Sequence, residues 1–182
     1  IAGECRVLGR GHAEQLVPMI AALPDKGRAA RIAVALGPGS FTGVRVGLAA
    51  ARALAFAWEA ELAGYPTLAL IAAMARAEHP GAAVTVCTTG GHGEWFVADY
   101  GADGSALAPL ASLSPAAAVA RGGAELVAGS QAEALVAARG HGTALPLWPD
   151  ARSFSLLPAH EIGADTSPLY GRAPDARLPG AA

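Results

Sequence analysis

The run Ile32-Ala33-Val34-Ala35-Leu36, then Gly37-Pro38-Gly39-Ser40-Phe41-Thr42-Gly43, then Val44-Arg45-Val46-Gly47-Leu48-Ala49-Ala50-Ala51-Arg52-Ala53-Leu54-Ala55, decides the fold. It reads as strand, glycine-rich turn and helix. A short, β-rich apolar run bounded by turn residues fits a strand buried on both faces, as inside a sheet flanked by helices. Gly37 and Gly39 permit positive φ or a close backbone approach, Pro38 fixes its own φ, and Ser40 or Thr42 can cap a helix that begins near Gly43. Within that helix Gly43, Gly47, Ala51 and Ala55 recur every four residues as a stripe of small side chains, with Val44, Leu48, Leu54 and Trp58 as bulk beside it. Two uses of such a stripe stay open: packing on the chain's own sheet, or close approach of another helix. Arg45 and Arg52, seven apart, share a face.

Composition bounds the rest. At 182 residues, 53% hydrophobic and 15% charged, the chain can bury the core of one domain or of two small ones. Its 13 basic and 15 acidic residues are scattered, which leaves no field to hold a nucleic acid by this chain alone. Cys5 and Cys87 lie far apart without metal-ligand spacing, the cysteine usage of a reduced, cytoplasmic setting. Arg45, Arg52, Glu59 and Glu61 interrupt the apolar segments before membrane-spanning length, and no cationic leader precedes an apolar core, so no membrane association is expected.

Taken in order, Ile1 to Leu8 stands where the family resemblance set out below implies a strand. Leu16, Met19, Ile20 and Leu23 keep helical spacing and predict an amphipathic helix from about His12 to Leu23, kinked at Pro18 or starting nearer Gln15. Leu62 to Tyr65 reads as a short strand and Leu68 to Glu78 as a helix. Beyond Gly81, Val84 to Thr88 and Trp95 to Tyr100 alternate around Gly90-Gly91-His92-Gly93 as an antiparallel meander. Ser114-Pro115 opens a short helix, Leu126 to Gly129 suggests a strand, and Ser130-Gln131-Ala132-Glu133 is a capping box for a helix to Arg139. From Pro146 the repeated prolines predict an extended tail with at most one short helix near Phe154.

Chemistry-bearing patterns are sparse. Gly37 to Gly43, with Gly39, Ser40 and Thr42, makes an anion-friendly helix N-terminus, yet no Gly-Lys-Ser/Thr follows and the glycine spacing is not Gly-x-Gly-x-x-Gly, so the tight crossover is the better reading. No serine sits in a Gly-x-Ser-x-Gly setting, and His92, Glu94, Asp99 and Asp103 fall around turns. His12 and His92 lack a neighbouring acid or nucleophile, and such histidines usually serve as caps or are solvated.

The run Gly37-Pro-Gly-Ser-Phe-Thr-Gly-Val-Arg-Val-Gly47 resembles the signature of the TsaB (YeaZ) family, non-catalytic partners in bacterial tRNA threonylcarbamoyladenosine synthesis. The segment His12-Ala-Glu-Gln-Leu-Val-Pro-Met-Ile20 resembles that family's first helix, and Pro168-Leu-Tyr-Gly-Arg172 its closing Pro-x-Tyr-x-Arg. Family members begin with a strand and tight turn carrying an Asp-Thr-Ser-like sequence, and this sequence opens at Ile1 with that first hairpin edge missing. It also departs where the family carries Asp-Ala-Arg-x-Gly-Glu: Thr89 replaces the Asp and Gly91 the Arg, with Gly93 and Glu94 retained.

The resemblance implies two small α/β subdomains of the actin-like ATPase, RNase H-like type, residues 1–80 and 81–182. It implies a scaffold or activating subunit that pairs with a TsaD-like enzyme and a TsaE-like ATPase, touching tRNA only through the complex. The enzyme's helical His-x-x-x-His metal pair has no counterpart here: Thr67-Leu-Ala-Leu-Ile-Ala-Ala-Met74 stands in its place, without imidazole or carboxylate. ATP and metal are thus expected on the partners and no cofactor on this chain alone. The family's pairing surface maps to His12, Leu16, Met19, Ile20, Leu23, Gly43, Gly47, Leu48, Ala51, Leu54 and Ala55, which would also make homodimers when the partner is absent. Still open are a small actin-like kinase, the peptidase implied by the family's old glycoprotease label, and a nucleotide at the subunit joint near Gly37 to Gly43.

Overall fold

The computed structural model describes residues 2–6, 8 and 11–171. The strand expected at the start is not formed by its described residues, 2–6 and 8, which are irregular. Helix α1 spans His12–Ala21, starting at His12 rather than nearer Gln15, with Pro18 inside it. Strand β1, Arg31–Ala35, leads through the glycine turn into α2, Phe41–Trp58, and back to β2, Glu61–Tyr65. The two strands pair in parallel from Arg31 opposite Glu61 to Ala35 opposite Tyr65, so β1, α2 and β2 form one βαβ unit. Val34, Leu36, Leu48 and Ala51 bury its core, with Ile32, Val44 and Leu62 packed around them.

Helix α3, Thr67–Glu78, follows directly. It carries buried residues on every side, Leu68 to Ala73 and Ala75, as a helix must when its sequence is apolar all round. Its main support is a second sheet of β3 (Val84–Thr89), β4 (Trp95–Tyr100), β5 (Ala111–Leu113), β6 (Leu126–Ala128) and β7 (Thr143–Leu145), in the order β5-β4-β3-β6-β7. Strands β3 and β4 form the expected antiparallel pair and β5, which the sequence did not mark, extends it, while β6 runs parallel to β3 and β7 parallel to β6. Alternation then sorts the side chains. Val84, Val86, Phe96, Ala98, Tyr100, Leu126 and Ala128 join α3 in the larger core. Cys87, Val97 and Val127 point the other way, onto α4 (Pro115–Arg121) and α5 (Ala132–Arg139).

One polar network interrupts the second face. Thr85 is fully buried. Its hydroxyl donates to Asp99 Oδ1 at 2.7 Å and accepts from the Ala124 amide at 2.8 Å, while Asp99 Oδ2 accepts from Arg121 Nε at 3.0 Å. Arg139 reaches the Gly122 and Ala124 carbonyls beside it. Asp99 is therefore spent on holding β3, β4, α4 and the start of β6 in register.

Two capping expectations part company. Ser114 caps α4 as expected, accepting from the Ala117 amide with Pro115 in the first turn. The box at Ser130 does not form: α5 has Gln131 at its N-cap without a side-chain cap, and Ser130 accepts from the Thr89 amide at 3.1 Å instead. The tail is also more structured than its prolines suggest, with two 3₁₀ segments, Ala151–Leu156 and Ala159–Glu161, and Leu157 buried against α3. Gly163 then pairs with Gly64 of β2 through both backbone bonds.

Thr85→Val, which keeps the shape and removes the hydroxyl, leaves Asp99 Oδ1 and the Ala124 N–H without this partner. A loss of about 2 kcal/mol in urea unfolding is expected, and an unchanged midpoint would show that water replaces the hydroxyl. The two thiols should separate cleanly. Burial pushes the Cys87 thiol up to about 12, whereas Cys5 is exposed. Titration of the native chain with a disulfide reagent at mildly alkaline pH should modify Cys5 at once and Cys87 only on unfolding.

Candidate partner-binding surface

The glycine turn owes its shape to Gly37, whose φ of 100° no side chain tolerates well and whose Cβ would lie 2.6 Å from the Leu169 carbonyl oxygen. Gly39 does not use a positive φ. The Gly37 carbonyl accepts from the Thr67 amide at 2.8 Å, which fixes the turn to the start of α3. Of the two candidate caps, Ser40 serves: its hydroxyl accepts from the Gly43 amide at 3.0 Å. Thr42 and Phe41 stand exposed on the first turn of α2. The turn is a tight strand-to-helix crossover with an exposed helix N-terminus.

The small stripe is split by the twist of the helix. A four-residue repeat drifts across a face that turns every 3.6 residues. Ala51 and Ala55 end up buried, and Ala51 packs with Leu48 into the core over β1 and β2. Gly43, Gly47 and Leu54 are half-exposed, and a side chain added at Gly47 would meet nothing within 4 Å. The predicted pairing residues thus divide into Leu48, Ala51 and Ala55, used by the chain's own fold, and Gly43, Gly47 and Leu54 at an open flank.

Helix α1 completes that picture. It lies against α2 and the 3₁₀ turn Pro24–Gly27, with Ile20 packed close to Gly27. None of its described side chains is fully buried: Leu16, Met19 and Ile20, and Leu23 just beyond it, stay half-exposed, and Val17 is 60% exposed. His12 starts the helix; its side chain lies outside the described set. An amphipathic helix that leaves its apolar face half in water has surface to spare for a partner.

The residues that looked chemical are committed to structure. Glu94 Oε2 accepts from Ser112 at 2.6 Å, and Asp103 accepts from the Ser105 hydroxyl and amide, which lowers its pKa. Thr89, where the family's acid would stand, is tied to Ser130 and accepts from Gln131 Nε2 at 2.8 Å, so the β3–β4 hairpin is braced against the start of α5 without an ion pair at that position. Among the described residues no three His, Cys, Asp or Glu side chains gather as a metal site. No described helix is long and apolar enough to cross a membrane.

Sequence reasoning passed over one feature of α2. Arg45 lies over the Phe41 ring at 3.5 Å and donates from Nε to the Tyr170 hydroxyl at 3.2 Å, and the two rings stand 5.4 Å apart. Phe41 and Arg45 at i and i+4 signalled the first half. Tyr170 is 125 residues distant, and the closing Pro-x-Tyr-x-Arg resemblance that contains it says nothing of Arg45.

A βαβ unit followed by a five-stranded mixed sheet of order β5-β4-β3-β6-β7 is an α/β architecture of the actin-like, RNase H-like type. The sequence matches the family described as TsaD, tRNA N6-adenosine threonylcarbamoyltransferase, over residues 6–149, and the chain belongs to that family, on its TsaB (YeaZ) side. YeaZ from Pseudomonas aeruginosa superposes with a TM-score of 0.69 at 24% identity, covering 91% of this chain and 86% of that one. A structure titled as an uncharacterized protein with similarity to peptidase YEAZ from Pseudomonas aeruginosa superposes with a TM-score of 0.71 at 25% identity, covering 92% of this chain and 87% of that one. No curated protein matches the sequence.

Ala51→Arg places a charge in the core and should lower the isolated chain's stability by about 3 kcal/mol or more, whereas Gly47→Leu should leave it unchanged or raised by up to about 1 kcal/mol. Thermal unfolding followed by circular dichroism checks both. Equal melting temperatures for Ala51→Arg and the native chain would mean that this flank of α2 is not held against the sheet.

Proposed function

We propose that this chain is the non-catalytic, activating subunit of a tRNA threonylcarbamoyladenosine synthase, pairing with a TsaD-like enzyme and served by a TsaE-like ATPase. The observation that carries the proposal is the open surface of α1 and α2, which are in contact: α1 has a half-exposed apolar face and α2 a glycine that leaves open space, in a chain of this family. Leu16, Met19, Ile20 and Leu23 from α1 and Gly43, Gly47 and Leu54 from α2 supply the contact, with Leu48, Ala51 and Ala55 acting from beneath by fixing α2 on its sheet.

In this reading the enzyme transfers the threonylcarbamoyl group from its adenylate to the adenosine next to the anticodon, and this chain contributes surface rather than chemistry. ATP and metal reside on the partner subunits, the tRNA is met only in the complex, and the setting is the cytoplasm. The same flank forms homodimers of this chain when the enzyme is absent.

The test is size exclusion of the chain mixed with the TsaD-like enzyme of its own genome, together with threonylcarbamoylation of tRNA with and without it. Co-elution with activation is expected. Gly47→Leu, which fits the isolated fold but fills the gap a partner helix must enter, should weaken co-elution by about a hundredfold or more while the monomer stays folded. Full activation by Gly47→Leu would place pairing on another face. Metal-dependent proteolysis or ATP turnover by this chain alone would replace the scaffold reading with an enzymatic one.

A further inference from the structure

On the far side of α2 lies a different surface. At about 100° per residue, Phe41, Arg45, Arg52 and Phe56 line one flank, roughly opposite Gly43, Gly47 and Leu54. Phe56 is 89% and Phe41 56% exposed, the large apolar side chains expected of an interface rather than of a solvated helix. No acidic residue occurs anywhere between Phe41 and Trp58.

Both arginines are positioned by the segment that returns from the second sheet. Arg45 lies over Phe41 and bonds the Tyr170 hydroxyl; Arg52 Nη2 donates to the Thr166 carbonyl oxygen at 3.0 Å. Those acceptors are neutral. Among the described residues neither guanidinium has a carboxylate within ion-pair distance, and Asp165, the acid of that segment, instead accepts from the Ser167 amide at 2.8 Å. In a chain of net charge −2, two oriented cations that have no carboxylate partner among the described residues, set beside the exposed Phe41 and Phe56, stand out.

We infer that this flank is a second docking surface, separate from the Gly43, Gly47 and Leu54 flank, for an acidic protein surface that presents two carboxylates about 10 Å apart, one for each arginine, with apolar side chains at its margins. Carboxylates match the planar guanidinium forks, and because the return segment already holds both side chains, little ordering entropy is lost on docking. Two cations without lysines around them suit a protein better than a nucleic acid, whose phosphates need a longer basic track.

The probe is a fluorescent amphipathic helical peptide with two glutamates seven residues apart between leucines, compared with its glutamine twin and with an oligouridylate by anisotropy. The glutamate peptide should bind about tenfold more tightly than its twin, and the preference should shrink with added salt. Arg45→Gln with Arg52→Gln should abolish that preference, and lysine at both positions should restore part of it, with circular dichroism confirming the fold of each variant. Equal binding of the two peptides, no binding of either, or a preference that survives the glutamine variants overturns the proposal. Tighter binding of the oligouridylate overturns it in favour of nucleic acid, and self-association that Arg45→Gln and Arg52→Gln dissolve overturns it in favour of a second copy of this chain.

Discussion

Helix α3 is the constraint on which the rest depends. Its sequence, Thr67-Leu-Ala-Leu-Ile-Ala-Ala-Met-Ala-Arg, offers almost no polar face, so it is stable only where protein covers it on all sides. The second sheet supplies one wall through Val84, Val86, Phe96 and Ala98. Tyr65, Phe154 and Leu157 supply others. Burying those alanines and leucines draws the 3₁₀ segment Ala151–Leu156 back across the molecule, and that return brings Thr166 and Tyr170 to α2. The one arginine of α3 is tied down too, with Arg76 Nε donating to the Ala102 carbonyl oxygen at 3.1 Å.

The acidic side chains with buried neighbours, Asp99 and Glu94, hold strands and loops together, and a carboxylate already bonded to Thr85 and Arg121 has few lone pairs left for a substrate. Replacing the family's Asp and Arg in the β3–β4 hairpin by Thr89 and Gly91 exchanges charged groups for hydroxyl and amide bonds to Ser130 and Gln131. The hairpin remains fixed to its neighbour by short neutral bonds. What the molecule leaves open lies on its surface: the half-exposed apolar face of α1, the flank of α2 with Gly43, Gly47 and Leu54, and the opposite flank of α2 with two arginines and two phenylalanines.

Much was legible in the sequence wherever the deciding physics is local. The apolar run, the glycine turn and the helix after it lie where periodicity puts them, because a buried strand, a positive-φ glycine and a serine cap each act within a few residues. The meander around Gly90 to Gly93, and Ser114-Pro115 as a helix start, rest on equally short-range rules. The box at Ser130 failed because Thr89, forty-one residues away, competes for the same hydroxyl. The strand that the family resemblance implied at the start did not form among its described residues, since an extended segment is not held as a strand without a neighbour to bond.

By itself, then, the sequence determined the βαβ unit, the β3–β4 hairpin, most of the helices and the family resemblance, since pattern and motif are written in neighbouring residues. Only the tertiary structure decided which side of each element is spent. It buried Ala51 and Ala55 under the chain's own sheet while leaving Gly47 open, because a four-residue stripe precesses around the helix and the sheet covers only part of its course. It also set Tyr170 against Arg45 and Thr166 against Arg52, contacts that exist only because burying α3 folds the proline-rich segment back over the first unit.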